Sequence, residues 1–122
     1  MEPFRIILVA DINGSIVFAD PKAEQFSGLK QADFLGDGWL WGVHPRDRLL
    51  AKTQWRKSVL YKNVYEEFYR YRKYDGTYHW LLTRSIPLSN FRIPAMHWAI
   101  VLEFLGAENI GGVAMKENHF HE

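Results

Sequence analysis

The sequence predicts an α+β fold built on an antiparallel β-sheet. Two strand-like segments open the chain, three close it, and helical segments lie between them. This segregation is typical of α+β proteins with antiparallel sheets rather than of alternating α/β folds. The strongest local signal is the Asp75-Gly76 dipeptide between two aromatic and β-branched segments, which predicts a tight hairpin.

The first two strands are expected at residues 4–10 and 15–19. The first segment is short, apolar and rich in β-branched residues. The Asn13-Gly14 pair that separates the two segments is typical of a turn. The chain should therefore open with a β-hairpin.

A short helix should follow this hairpin. Asp20 is a favourable N-cap residue, Pro21 suits the first helical position, and Ser27-Gly28 predicts the helix end. A second short helix is expected at residues 31–35, before a glycine-rich break.

The centre of the chain predicts a loop and then the longest helix. Residues 39–43 are apolar but interrupted by a glycine, so we expect a loop there. Residues 44–47 should start a helix that reaches Leu60, because proline is tolerated in a first turn and Asp47 suits the positive helix end. The buried stripe of this helix should be broad rather than narrow and should include Leu49, Ala51, Trp55, Val59 and Leu60.

The end of the chain should complete the sheet. Strands are expected at residues 64–73, 78–88 and 95–104, with a loop at residues 89–94. Residues 106–122 are small, polar and glycine-spotted, which is typical of a loose tail or a domain edge. We therefore expect one domain at residues 1–105, followed by this tail.

Composition limits the functions open to the chain. Its 122 residues suit one domain with its own core, and the lack of cysteine excludes disulfides, thiolate metal sites and cysteine nucleophiles. The formal net charge of +1 gives no strong bias toward nucleic acid or anionic membranes. No apolar segment approaches the ~20 residues that a membrane span needs, and the first residues lack a signal-peptide layout, so a cytoplasmic protein is expected.

Several short motifs, taken in order, resemble those of the PAS domain family, in the subclass with a PAC-like second half. They cover about residues 8–104 and are Asp11-x-x-Gly14-x-Ile16, Pro21-x-Ala23, Phe26-Ser27-Gly28, Phe34-Leu35-Gly36, Trp39, Val43-His44-Pro45-x-Asp47-Arg48, Trp55, Tyr65-Glu66-x-Phe68-x-Arg70-x-Arg72, Asp75-Gly76-x-Tyr78-x-Trp80 and Ser85-x-Pro87. No single motif is specific, but together and in this order they match well. The chain departs from the family at Asp20, which is usually Asn, in the last turn, which lacks Gly, and after Phe104, where the usual Asp-Ile-Thr exit is missing.

The resemblance implies a five-stranded antiparallel sheet with several helices on one face, enclosing a small cavity. PAS domains bind a cofactor or metabolite there, or pair with another copy. They pass a change of shape to an output domain such as a kinase or cyclase, as in two-component signal transduction. The resemblance thus implies a sensor rather than an enzyme, with an output domain outside this chain; the alternative is a ligand-free PAS module for dimerisation or adaptor contacts.

Strand alternation separates two sets of residues with different expected roles. By resemblance to flavin-binding members, one set faces the cavity and would contact a small-molecule ligand: Tyr69, Tyr71, Leu81, Thr83, Ser85, Trp98, Ile100 and Leu102. The other set forms an apolar face, which predicts a homodimer contact through Phe68, Trp80, Leu82, Ile86, Ala99 and Val101. The alternatives are that the first set simply fills a core and that a terminal segment of the chain covers the second.

Other chemistry has less support. A flavin–cysteine adduct needs a thiol, although a flavin held without an adduct is compatible with the cavity residues. Haem is disfavoured because the long helix lacks histidine, and His44 at its start is better placed to cap or pack. The terminal His119, His121 and Glu122 would make a poor metal site. The basic residues of the long helix indicate a solvated face, so we expect no metal and no nucleic-acid or membrane partner.

Overall fold

The structure, a computed structural model, describes residues 4–88 and 97–104. In this part of the chain the strands are β1 (Phe4–Ala10), β2 (Ile16–Ala19), β3 (Tyr65–Arg72), β4 (Tyr78–Pro87) and β5 (Trp98–Phe104). The helices are α1 (Pro21–Ser27) and α2 (Arg48–Tyr61), with 3₁₀ helices at Gln31–Phe34 and Gly38–Gly42. The loop predicted at residues 89–94 and the tail predicted at 106–122 lie outside the described residues.

The strands form one antiparallel sheet, as predicted. Their order is β2-β1-β5-β4-β3, and every neighbouring pair is antiparallel. The last strand therefore lies in the middle and joins the opening hairpin to the closing one. The helices pack on one side of the sheet, here called the inner face; the opposite side is the outer face.

The hairpin between β3 and β4 fixes the register of the closing strands. Lys73 donates its backbone N–H to the carbonyl of Thr77 at 2.7 Å, and Gly76 takes a left-handed φ of 89° that suits glycine. The resulting register sets Tyr69 opposite Leu81. The tight hairpin predicted from Asp75-Gly76 is confirmed, and so is the alternation of side chains along β4.

The caps of α1 also follow local sequence. The Asp20 carboxylate accepts a hydrogen bond from the backbone N–H of Lys22 at 3.0 Å, and Pro21 is the first helical residue. Gly28 ends the helix in a left-handed conformation with φ of 75°. Both boundaries were predicted, because each depends on residues within the helix or next to it.

The prediction of a loop at residues 39–43 is wrong, because a 3₁₀ helix occupies Gly38–Gly42. The Tyr71 hydroxyl donates to the Trp39 carbonyl at 3.0 Å, and the Tyr71 ring lies where a side chain at position 42 would be. A contact with β3 therefore shapes this segment, and Gly42 is what permits it.

The long helix begins at Arg48 rather than within residues 44–47, which form a turn. The Asp47 side chain makes no capping bond; it binds Arg70 on β3 instead. The predicted broad buried stripe is also wrong, because Leu49 and Leu60 are 77% and 72% exposed. Only one narrow side of α2 is covered, and its buried residues are Ala51, Trp55 and Ser58.

Candidate functional site

The predicted ligand-facing residues lie together on the inner face. All eight are at most 5% exposed: Tyr69, Tyr71, Leu81, Thr83, Ser85, Trp98, Ile100 and Leu102. Strand register sets Thr83 opposite Leu102 and Ser85 opposite Ile100, so β4 and β5 build the centre of this surface. Their contact with a ligand stays a prediction.

A small internal cavity of about 10 Å³ lies between this surface and the helices. It is lined by Leu8, Ile16, Trp39, Trp55, Tyr65, Tyr69, Thr83 and Ile100. A space of this size holds about one water molecule. Three of the eight predicted residues therefore line the cavity, and the other five fill the core around it.

Sequence reasoning missed five of the lining residues. Leu8 and Ile16 could have been found by extending strand alternation to the opening hairpin, since Leu8 pairs with Ile100. Trp39 could not, because its segment was interpreted as a loop. Trp55 was predicted to be buried on the long helix, but its place beside the cavity depends on how that helix crosses the sheet.

Two polar groups at the cavity have no hydrogen-bond partner. Among the described residues, the Thr83 hydroxyl and the Trp39 indole N–H are buried and unpaired. The polar atoms around them are paired: the Ser85 hydroxyl accepts from the Tyr65 backbone N–H at 2.9 Å, and the Trp55 indole donates to the Gly14 carbonyl at 2.9 Å. A third unpaired group, the Trp80 indole N–H, lies on the outer face. Since most buried polar groups in proteins are paired, the two exceptions on cavity-lining residues mark this spot.

No charged side chain of the described residues lines the cavity. Burial raises the pKa of the Tyr65, Tyr69 and Tyr71 hydroxyls well above the usual value of 10.0. The Thr83 hydroxyl lies close enough to Tyr69 to oppose part of that rise in pKa, although the pair lies outside normal hydrogen-bond geometry. All three phenols stay protonated, and a cavity lined by the neutral Tyr65 and Tyr69 side chains disfavours a charged ligand.

The cavity does not fit a flavin. Its 10 Å³ falls far below the ~300–1,000 Å³ of typical small-molecule sites, so a flavin ring would displace the side chains that line it. No histidine lines the cavity; His44 packs edge-on against Tyr78 with ring centroids 4.6 Å apart. Within residues 4–88 and 97–104, no group of three or more His, Asp or Glu side chains is placed to hold a metal.

A buried ion pair anchors α2 to the sheet beside this core. The Asp47 carboxylate accepts hydrogen bonds from Arg70 at three points: the backbone N–H at 3.0 Å, Nε at 2.9 Å and Nη2 at 2.8 Å. The Arg70 side chain is 4% exposed and also stacks on the Trp80 ring. The pair fixes the turn before α2 against β3, and thereby the helices that cover the inner face.

The predicted dimer residues lie on the outer face, with uneven exposure. Phe68 and Ile86 are each 51% exposed and Leu82 is 8% exposed, while Trp80, Ala99 and Val101 are intermediate. Ile86 is the start of an apolar row that runs across four strands and is completed by Ala99, Val9 and Phe18. Exposed ion pairs from Arg84 to Glu66 (3.0 Å) and from Arg5 to Glu103 (2.9 Å) lie alongside it.

Sequence reasoning missed Ile7 and Phe18, which are each 46% exposed on the same face. Alternation along β1 and β2 could have identified them. As for membranes, neither helix in the described part of the chain is both long and apolar enough to cross a bilayer.

Comparisons with solved structures agree with this architecture. The Cronobacter turicensis RpfR quorum-sensing receptor PAS domain in complex with BDSF aligns with a TM-score of 0.66 at 14% identity, covering 84% of this chain and 94% of that one. The N-terminal domain of a Marinobacter aquaeolei diguanylate cyclase with PAS/PAC sensor aligns with a TM-score of 0.64 at 18% identity, covering 83% of this chain and 94% of that one. The Rhodobacter sphaeroides LOV protein aligns with a TM-score of 0.63 at 16% identity, covering 83% of this chain and 60% of that one.

At these identities the structural similarity establishes the fold alone. No curated protein sequence matches the chain. The family model of the PAS fold matches residues 16–98, which is more than half of the 122 residues. The match begins at β2 and ends at β5, so it includes the helices and most of the inner face. The chain belongs to the PAS-fold family.

Proposed function

We propose that this PAS domain is a non-catalytic sensor whose core takes up a small, uncharged ligand. The unpaired Thr83 hydroxyl and Trp39 N–H are the observation that carries the proposal. A buried polar group without a partner costs about 1–3 kcal/mol, and a ligand offering a hydrogen-bond acceptor and an apolar body would recover that cost. The neutral tyrosines favour an uncharged ligand over a charged one.

Uptake of such a ligand requires the core to widen. The 10 Å³ cavity accommodates little more than one water, so the ligand would bind a form in which the lining side chains have moved outward. A ligand that binds this form better than the closed one shifts the population toward it. The RpfR PAS domain was solved in complex with BDSF, and again with C12:0, which supports ligand uptake by this fold.

Native mass spectrometry of the full chain, purified without denaturation, tests the ligand. We expect a bound mass on the wild type that disappears on denaturation, and at least about tenfold lower occupancy in Thr83→Val, which removes the unpaired hydroxyl. Thr53→Val, on the exposed side of α2, is the matched control and should retain the ligand. A ligand-free mass in repeated wild-type preparations would contradict the proposal.

We further propose that two copies pair through the outer face, which would relay the state of the core to an output domain outside this chain in the cytoplasm. Exposed apolar side chains on this face support the proposal, because such surface usually marks a contact. They are Ile7, Phe18, Phe68 and Ile86. Phe68→Glu should convert a dimer to a monomer in sedimentation velocity. Leu49→Glu also replaces an exposed apolar residue with a charge, but it lies on α2 and should leave the dimer intact.

Phe68 is a better probe than Leu82, because Leu82 is largely buried within one copy and a charge there would also disturb the fold. Circular dichroism of both variants should match that of the wild type. A Phe68→Glu protein that remains dimeric would show that the outer face is not the interface.

The second candidate is a ligand-free dimerisation or adaptor module. The small cavity favours it, since side chains alone fill most of the core. This candidate predicts the same response to Phe68→Glu but no bound mass, so the two experiments together separate the alternatives.

A further inference from the structure

A larger space lies outside the core, at the surface beside α2. It is a groove of about 540 Å³ between the β1–β2 turn, the second 3₁₀ helix and α2. Its lining residues in the turn and the 3₁₀ region are Ile12, Asn13, Gly14, Ser15, Asp37, Trp39 and Leu40. Those on α2 are Lys52, Trp55, Arg56, Val59 and Leu60. The volume is within the range of small-molecule sites.

The groove is lined by apolar, polar and cationic side chains. Two of the apolar lining residues, Leu60 and Ile12, are 72% and 54% exposed. Lys52 and Arg56 lie one turn apart on the same side of α2, where like charges repel each other. Within the described part of the chain neither forms an ion pair, and Asp37 is the one acidic residue that lines the groove.

The frame of the groove is preformed. The Trp55 indole donates to the Gly14 carbonyl at 2.9 Å, which holds the β1–β2 turn against α2. A Cβ added at Gly14 would lie 2.8 Å from Val59 Cγ2, so the turn approaches the helix as closely as glycine allows. A preformed site loses less free energy to ordering when it binds a ligand.

Two indoles separate the groove from the internal cavity. Trp39 and Trp55 line both spaces. The two spaces therefore share a wall made by these side chains.

We propose that the groove binds an amphipathic monoanion, a carboxylate carried on an apolar chain or ring. The carboxylate would lie between Lys52 and Arg56 and relieve their repulsion, while the apolar body would cover Leu40, Val59 and Leu60. Charge complementarity and the apolar side chains in the lining together favour this class over a neutral sugar or a cation. The site is separate from the core cavity of the proposed function and does not depend on it.

Titration of the ¹⁵N-labelled full chain with decanoate, followed by NMR, tests the site. We expect saturable shifts of the Ile12 and Leu60 amides and of the Trp39 and Trp55 indole N–H signals. The indole signal of Trp80 on the outer face should not move. Decylamine, the cation of equal length, should bind at least about tenfold more weakly.

Charge removal on α2 supplies the matched comparison. Lys52→Gln with Arg56→Gln should weaken decanoate binding by about tenfold or more, since both charge-assisted contacts are lost. Lys57→Gln, on the same helix but outside the groove, should change affinity by less than about twofold.

The site assignment would be overturned if the double variant and Lys57→Gln behaved alike, or if decanoate and decylamine bound equally well. It would also be overturned if the shifts centred on Thr83 and Ile100, which line the core cavity but not the groove. Thr83→Val should retain decanoate binding even where it loses a core ligand, so failure of the groove and failure of the core sensor are distinguishable.

Discussion

Two buried polar regions of this molecule differ in how completely their hydrogen bonds are made. At the junction of β3 and α2, the Asp47 carboxylate accepts three hydrogen bonds from Arg70. At the cavity on the inner face, the Thr83 hydroxyl and the Trp39 N–H have no partner among the described residues. The first region is complete in the fold as it stands; the second is completed only by something added.

The difference separates a region that stabilises the fold from a region that can bind a ligand. A satisfied buried ion pair constrains geometry, and here it ties the turn before α2 to the sheet. Two unpaired buried polar groups lower the stability of the fold, and a bound water or ligand would offset that cost. We therefore expect mutations at the junction to change chiefly the free energy of unfolding, and mutations at the cavity to change chiefly the affinity for a ligand.

The largest effect should come from Asp47→Ala. Removing the carboxylate takes away three hydrogen bonds from Arg70, two of them from its guanidinium, and leaves a side chain that is 4% exposed without this partner. We expect a loss of about 3 kcal/mol in the free energy of unfolding. Urea unfolding measures this. Glu66→Ala, which removes the exposed ion pair with Arg84, is the control and should cost less than about 1 kcal/mol. Equal losses in the two variants would refute the contrast between the two pairs.

The same junction should make stability depend on pH in the acid range. Burial acts to raise the pKa of Asp47, but the hydrogen bonds from Arg70 outweigh it and hold that pKa below the ordinary 3.8. The contribution is therefore fully present above the unfolded-state pKa and is lost as pH falls through the lower folded-state value.

Comparison of Asp47→Asn with the wild type isolates this contribution. Wild-type stability should fall more steeply than that of the variant as pH drops from about 5 to about 3. A second, separate loss begins nearer neutrality, because burial and the Arg70 charge lower the pKa of His44 below 6.5. Parallel curves through the acid range would show that Asp47 is not the responsible carboxyl group.

A smaller effect is expected from Ser85→Ala. Ser85 is fully buried on β4, and its hydroxyl accepts the Tyr65 backbone N–H at 2.9 Å. Removing it leaves that N–H without its partner and should lower stability by about 1 kcal/mol. Thermal and urea unfolding should agree on the loss; an unchanged midpoint would mean that the bond contributes nothing.

The sequence predicted what depends on neighbouring residues. Asp20, Pro21 and the Asp75-Gly76 pair act within a few positions, so the caps of α1 and the β3–β4 hairpin followed from local rules. Alternation then separated the set that contains Thr83 from the set that contains Leu82, and the resemblance to flavin-binding PAS domains indicated which set faces the cavity.

What could not be predicted depends on contacts between distant positions. Asp47 was expected to favour the positive end of a helix, but its partner is Arg70, 23 positions away. The 3₁₀ helix that carries Trp39 forms because Tyr71 packs against Gly42. The Lys52 and Arg56 groove exists only because the first hairpin turn packs against α2. Each of these requires the sheet order, which no local pattern supplies.

Replacement of Thr83 by valine tests the central claim most directly, because valine keeps the shape of threonine and removes only the unpaired hydroxyl. If the inner face is a binding site that the fold leaves incomplete, ligand-free Thr83→Val should be more stable than ligand-free wild type by about 1 kcal/mol in urea unfolding, opposite in sign to Ser85→Ala. A loss of stability like that of Ser85→Ala would contradict the account, since it would show that the Thr83 hydroxyl already serves the fold.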